Sequence, residues 1–327
     1  FQCNLRCSMC HFLDLIEEAN SQKKKEELSF EEIKQIVSQL PWFSLITFTG
    51  GEPFIRKDIL QILRFASSKN KCHIITNGTL INEKIAGSLV EMRSKTIFGK
   101  GLFAIGISLE GTKETNDKIV DLDGAYEKTI KGIELIQEQK VRNNTKYPVC
   151  HLTTVLSNKN VNDLVDLYKI AEDLKMDVYN VVLENSSEIS HSASFEKVNN
   201  LESAPDPVSR IEPHILKGQL DRIMELSKGF NTKIRFSPAN LKPEEVVRYY
   251  SDGLEIKNFK CYVPWNKVGI TAYGGIASCP HFYMGNIRDN GNLLSWNNSN
   301  YSSFRKKLRE QKIFPRCTGC CQSEYIK

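Results

Sequence analysis

The tightest constraint on this 327-residue chain is the run Cys3-Asn4-Leu5-Arg6-Cys7-Ser8-Met9-Cys10. Three thiolates at this spacing force one short loop to wrap a metal body, and Cys sulfur is a ligand suited to iron. Three such ligands hold three corners of a cubane iron–sulfur cluster. The fourth iron then keeps an open coordination position, where a bound ligand can be transformed. On spacing alone, a zinc knuckle or a structural disulfide loop is the alternative.

Downstream, Thr49-Gly50-Gly51-Glu52-Pro53 follows the apolar run Leu45-Ile46-Thr47-Phe48. A glycine pair at a strand end lets the backbone approach a bound molecule closely, and a Glu beside it can accept from a cationic amine. A Gly-Gly-Glu-Pro turn alone is a weak signal. With the three-Cys loop it resembles the radical S-adenosylmethionine superfamily. The resemblance implies that Cys3, Cys7 and Cys10 hold a catalytic [4Fe–4S] cluster whose fourth iron is chelated by the amine and carboxylate of S-adenosyl-L-methionine. It further implies that Gly50, Gly51, Glu52 and Pro53 receive the amine, and that Ser108 and Glu110 contact the carboxylate and ribose. Asn158, after a later strand, and Leu183, at a strand end facing adenine, complete the cofactor set. Met9 stands where the family usually has an aromatic residue against the adenine; a thioether is apolar and adaptable enough to fill that contact. The plain readings are turn residues for Ser108, Glu110 and Asn158, and a core residue for Leu183.

From Ser29 to about Met176 the pattern alternates helix and strand. Ser29-Phe30-Glu31-Glu32 is a capping box leading into a helix with Ile33, Ile36, Val37 and Leu40 on one face. Strands are expected at 45–48, 72–76, 102–109, 149–155 and 177–183, the last of them closing the sheet, with helices at 55–65, 82–92, 126–138 and 161–174. Repeated strand–helix units imply a parallel sheet with right-handed crossovers. The resemblance makes this an α/β fold, a partial (β/α)6 TIM-like barrel whose first strand is expected upstream of Phe1. Any upstream recognition or cobalamin domain would lie there too. The expected domains are a barrel over 1–183, a polar insert with linking helices over 184–260, and a small C-terminal unit over 261–327. Within 184–260, a helix at 215–226, a short strand at 233–236 and a helix opened by Pro243 are expected.

A second cysteine set occupies that C-terminal unit. Cys261 and Cys279, then Cys317-Thr318-Gly319-Cys320-Cys321, can place four sulfurs around one metal unit, with zinc possible on spacing alone. Pro264-Trp265-Asn266, Gly274-Gly275, Cys279-Pro280, Met284-Gly285-Asn286-Ile287 and Trp296-Asn297 resemble the twitch domain, the shortened form of the SPASM domain. That likeness implies a second [4Fe–4S] cluster on Cys261, Cys279, Cys317 and Cys320, and the spacing is similar to that of twitch-domain dehydrogenases acting on amino-cyclitols. Cys321 is an alternative fourth ligand, or a free hydrogen donor beside the cluster. Cys72 and Cys150 read as small core residues, and His281 as the only His near metal.

The charge balance, Lys plus Arg 44 against Asp plus Glu 39, gives no case for nucleic-acid binding. No apolar stretch reaches the ~18 residues of a membrane helix, no signal-peptide pattern opens the chain, and metal-type cysteine spacing points to a reducing cytoplasm. The implied activity is reductive cleavage of S-adenosyl-L-methionine to a 5′-deoxyadenosyl radical that abstracts a substrate C–H hydrogen, oxidising a small molecule. Electrons would come from an external one-electron reductant, a flavodoxin or ferredoxin. The alternative is a maturase that cross-links or epimerises a ribosomal peptide.

Overall fold

The computed structural model describes residues 2–10, 12–13, 16–17, 26–185, 208–279, 282–290 and 297–327. Pro280, His281, Trp296 and most of the polar insert lie outside the described residues.

The alternating pattern folds into a six-stranded parallel sheet: β1 (Leu45–Phe48), β2 (Lys71–Thr76), β3 (Gly101–Ser108), β4 (Val149–Leu156), β5 (Val178–Leu183) and β6 (Lys233–Ser237). The strands lie side by side in chain order, so every connection is a crossover in one direction. Helix α1 (Phe30–Gln39) starts at the expected box: Glu32 Oε2 accepts from the Ser29 N–H at 2.7 Å and Ser29 Oγ accepts from the Glu32 N–H at 3.3 Å. Then come α2 (Ile59–Lys69), α3 (Glu83–Glu91), α4 (Lys113–Val120), α5 (Ala125–Arg142), α6 (Leu164–Asp173), α7 (Pro213–Leu226) and α8 (Pro243–Ser251).

Three elements depart from the sequence reading. Helix α2 begins at Ile59 rather than Ile55, because Pro53–Ile55 is a separate 3₁₀ turn capped by the Glu52 side chain. Helix α4 carries Ile119 and Val120 as its only buried apolar residues, too few for a helical period to show. The sheet also does not end at Leu183. The short strand at 233–237 pairs parallel with β5, Val178 opposite Lys233 and Asn180 opposite Arg235, and α7 lies in the connection between them.

One face of each strand packs into the core beneath the helices: Cys72 and Ile74, Ile105 and Ile107, Cys150 and Leu152, Tyr179 and Val181. Cys72 and Cys150 are core residues, as expected. Alternation sends the other face, with His73, His151, Asn180 and Arg235, into the barrel interior.

Beyond the barrel, β7 (Gly269–Ile270), β8 (Gly275–Cys279) and β9 (Phe282–Asn286) form a small antiparallel sheet. Helix α9 (Ser299–Gln311) adds a satellite core in which Phe282 stacks on Phe304 at 4.1 Å between ring centroids. Arg288 ties this unit to α1 through the Glu32 carboxylate at 2.7 Å and the Glu26 and Glu27 carbonyls.

Tyr250 on α8 locks the catalytic end of the sheet. Its buried hydroxyl donates to the Leu156 carbonyl at 2.5 Å and accepts from the Glu184 N–H at 2.9 Å. Tyr250→Phe leaves both backbone groups without that partner. It is expected to destabilise the fold by about 1–3 kcal/mol, read as a fall in the urea midpoint without a change in slope.

Candidate active site

The cysteine loop lies across the C-terminal ends of the strands. Arg6 and Ser8 donate their backbone N–H groups to the Val120 and Ile119 carbonyls at 3.0 and 2.9 Å, hanging the loop on the last turn of α4. Leu5 is buried against Ile119, Val120 and Ala125, with Cys3, Cys7 and Met9 packed at the edge of that cluster. Asn77, at the end of β2, donates to the Asn4 side chain at 3.0 Å and reaches Cys3 Sγ at 4.0 Å. Further N–H groups point at sulfur, Leu5 toward Cys3 at 3.5 Å and Phe12 toward Cys10 at 3.4 Å. Such donors favour the thiolate over the thiol. Without a cation, burial still pushes the pKa of all three thiols up, and for Cys7 the nearby Glu110 adds to it. A bound cluster reverses that balance, because metal charge favours deprotonated sulfur.

The glycine turn meets this loop directly. The Glu52 N–H donates to the Gln2 carbonyl at 2.8 Å, and a Cβ on Gly51 would sit 2.1 Å from that same oxygen. The two segments touch backbone to backbone, so only glycine fits there. Gly50 has φ +142°, and a Cβ there would meet nothing within 4 Å. Its backbone therefore borders open space of the kind a ligand group could approach.

Glu52 is turned inward. Its carboxylate accepts from the Phe54 N–H at 3.0 Å, the Thr76 hydroxyl at 2.8 Å and the Asn77 N–H at 2.8 Å. Burial raises its pKa while those three donors pull it down. It clamps the glycine turn to the end of β2, and Pro53 starts the 3₁₀ turn beside it.

A cavity of about 110 Å³ opens next to the loop, lined by Met9, Val155, Asn158, Lys159, Glu184 and Ser209 among others. The structure thus brings Met9 and Asn158 together. Leu183 is not among the lining residues. It is 1% exposed and shares the helix-facing core with Val181 and Tyr179, because alternation along β5 turns it away from the barrel interior. Its neighbour Glu184 takes the place at the cavity. Ser108 ends β3 on the interior face. Glu110 is 5% exposed, accepts from the Val155 N–H at 2.8 Å and has its pKa pushed up to about 8 by burial.

Sequence reasoning missed two residues here. Lys159 Nζ reaches Ser8 Oγ at 2.9 Å, joining the loop to the end of β4. Buried Asn160 donates to the Glu110 and Val155 carbonyls and accepts from the Ser157 N–H, fixing the turn that carries Asn158. An Asn in a polar turn carries no sequence signal that separates such a brace from an ordinary loop residue.

In the C-terminal unit, Cys261, Cys279 and Cys317 pack against one aromatic cluster. The Cys317 thiol is pushed up to about 12 by burial and by the proximity of Cys279 and Cys261. The Cys320 N–H donates to the Cys317 carbonyl at 3.0 Å, repeating the Cys10-to-Cys7 turn of the first loop at 2.9 Å. Cys321 is at the surface, where its Sγ accepts from the Gln322 side-chain amide at 3.6 Å, and its proximity with burial raises the pKa of the Cys320 thiol. Converging soft sulfur donors that crowd one another suit an iron–sulfur body in both places. Among the described residues, no three His, Cys, Asp or Glu converge on a single-ion position.

Residues 1–171 match the family model of the radical SAM superfamily. The chain belongs to that superfamily. Residues 261–321 match the SPASM model, an iron–sulfur cluster-binding domain. S-adenosyl-L-methionine and two iron–sulfur clusters are accordingly its cofactors. A Fe-coproporphyrin III synthase of Methanosarcina barkeri is 32% identical over 178 residues, 54% of this chain and 40% of that protein. The chain thus spans less than half of that relative's length. An AdoMet-dependent heme synthase of the same organism is 22% identical over 99% of this chain and 86% of its own. Among solved structures, anSMEcpe with bound AdoMet superposes with TM-score 0.62 at 17% identity, covering 99% of this chain and 90% of that one. This last likeness is one of fold. No helix among the described residues is long and apolar enough to cross a membrane.

The Gly51 contact yields a prediction. Gly51→Ala must displace the backbone before Cys3 and is expected to lose the iron of the first loop, about half of the total, while keeping that of the C-terminal unit. Iron and sulfide analysis of the reconstituted variant checks this.

Proposed function

We propose that this protein reductively cleaves S-adenosyl-L-methionine and takes a hydrogen atom from a C–H bond of a small molecule, leaving that molecule oxidised. The reading is carried by one observation. Three partly exposed thiols on a loop sit at the C-terminal edge of the sheet, beside a cavity and a glycine turn with open space in front of Gly50. When bound, the cofactors supply one-electron chemistry that ends in a 5′-deoxyadenosyl radical.

The chain's own residues supply the rest. Cys3, Cys7 and Cys10 hold the catalytic cluster. The Gly50–Gly51 backbone receives the amine of the cofactor, while Glu52 and Pro53 keep that turn rigid. Ser108, Glu110 and Asn158 offer polar atoms toward its carboxylate and ribose, and Met9 packs on its adenine. Cys261, Cys279, Cys317 and Cys320 would hold the auxiliary cluster, which when bound would supply a one-electron redox centre. The electron that enters would come from a flavodoxin or ferredoxin, and the second electron from the substrate would leave through the auxiliary cluster. Barrel walls exclude water from a reactive intermediate. In this reading the catalytic unit runs from the cysteine loop through β6, and the auxiliary unit from residue 261 onward.

Relatives named as synthases of Fe-coproporphyrin III and heme support a small-molecule substrate. A peptide substrate is the second reading. It is favoured by the same fold in anSMEcpe, solved with a bound Cp18Cys peptide.

Replacing Cys3, Cys7 and Cys10 together by Ala should remove about half of the iron and abolish cofactor cleavage to 5′-deoxyadenosine. Cleavage retained in that variant overturns the assignment. Oxidation predicts one cofactor consumed per product and a product lighter by about two mass units, the two hydrogens lost in a two-electron oxidation. An epimerised product keeps its mass and takes up solvent deuterium. Cys320→Ala should lose the auxiliary iron and Cys321→Ala should keep it.

A further inference from the structure

The barrel interior holds a group of polar side chains that, Ser108 apart, none of the proposed cofactor contacts uses. Ser108, Thr153, Asn180 and Arg235 form one row across β3 to β6, each the Cα partner of the next. His73 and His151 stand below this row on β2 and β4, their rings 6.3 Å apart between centroids. The Arg235 Nε–H donates to Asn180 Oδ1 at 2.9 Å, and the same oxygen accepts from the Ser237 hydroxyl at 3.0 Å. One edge of the guanidinium is thus fixed, which aims its two terminal nitrogens while leaving them available.

Three features mark this as a place for a ligand. First, Arg235 stands solvent-exposed on the edge strand β6, and among the described residues it has no carboxylate within ion-pair distance, although surface pairs are plentiful elsewhere. Second, among the described residues His73 Nε2, packed over Gly106, is buried without a hydrogen-bond partner, while its Nδ1 lies 3.5 Å from the Thr47 hydroxyl. A buried polar atom without a partner is uncommon and costly. Third, no interior-facing residue of β1–β6 is acidic. The C-terminal unit adds to this balance: the charge of Lys267, held by the Gln322 side chain, contributes to lowering the pKa of His73.

Burial, the other ring and Arg235 push the pKa of His73 down to about 4, and burial with Arg235 does the same for His151, with Asp177 opposing. Asp177 lies at the lower end of β5, paired with Lys140 at 3.5 Å. Near neutral pH both imidazoles are therefore uncharged N–H donors, and Arg235 with Lys267 carries the positive charge.

We infer that the barrel interior is a binding site for an oxyanion of the substrate, a carboxylate or phosphate, gripped by Arg235 and met by His73 and His151. The inference rests on the proposed reaction for calling that molecule a substrate, but the binding itself does not depend on it. A guanidinium with one edge fixed presents two parallel donors to such a group, a pairing that Lys cannot reproduce. Anion and cofactor would then occupy different levels of the barrel, the anion in the sheet interior and the cofactor at the strand ends.

The test uses the reconstituted holoenzyme loaded with S-adenosyl-L-methionine, so that the cofactor's own carboxylate site is filled. Isothermal titration is run with inorganic phosphate, with succinate and with neutral succinamide. The wild type should bind at least one of the two anions and not succinamide. Whichever binds identifies the source as phosphate or carboxylate. Arg235→Gln should weaken that binding by at least ~10-fold, and Arg235→Lys should fall between the two. Iron content and the far-ultraviolet circular dichroism spectrum should match wild type in both variants, which shows that they fold. Equal affinities in wild type and Arg235→Gln, no binding of either anion, or equal binding of succinamide would each overturn the site. Wild-type holoenzyme that binds anions yet never cleaves the cofactor would instead sink the reaction and leave the site standing.

Discussion

The catalytic end of this protein depends on a backbone-to-backbone contact. The chain just before Cys3 lies so close to Gly51 that a single added methyl group would collide with the Gln2 carbonyl, and the Glu52 N–H bonds to that same oxygen. From there the Glu52 carboxylate reaches Thr76 and Asn77, and Asn77 reaches Asn4 and Cys3. The cysteine loop, the glycine turn and the end of β2 are thereby one rigid body. A loop bearing three thiols proposed as metal ligands needs such support, because ligand spacing alone does not fix where a metal body sits relative to the sheet.

Two consequences follow for the chemistry. The glycine pair has divided duties, Gly51 facing the cysteine loop and Gly50 facing open space. Glu52 likewise serves the frame, its carboxylate occupied by three protein donors before any cofactor arrives. In the proposed reading the cofactor's amine would meet the turn's backbone, on a frame braced from behind. Preorganisation of this kind sets binding groups in place ahead of the ligand and lowers the entropic cost of ordering them.

Much of this was legible in the chain itself. The cysteine spacings, the Gly-Gly-Glu-Pro turn and the alternation of strands and helices led to the superfamily, to both cofactor types and to the α/β fold. The capping box at Ser29 was visible because capping is local chemistry. Helix α4 was not, since Lys113–Val120 has almost no apolar residues to set a period. Strand β6 was seen as a strand but not as part of the sheet, because pairing across a connection of some fifty residues leaves no local trace. Leu183 was assigned by position at a strand end, and its side chain faces the other way.

What the sequence by itself determined is what short-range pattern controls: which thiols stand on one loop, where glycine is obligatory, and which segments become strand or helix. What only the tertiary structure decided is what long-range register controls. It set Arg235 level with Ser108, although well over a hundred residues separate them. It left His73 Nε2 without a hydrogen-bond partner among the described residues, and it joined Lys159 to Ser8 across the mouth of the barrel. Side chains so far apart in the chain meet because each strand has one face committed to the core. Alternation then leaves the other face no direction except the barrel interior.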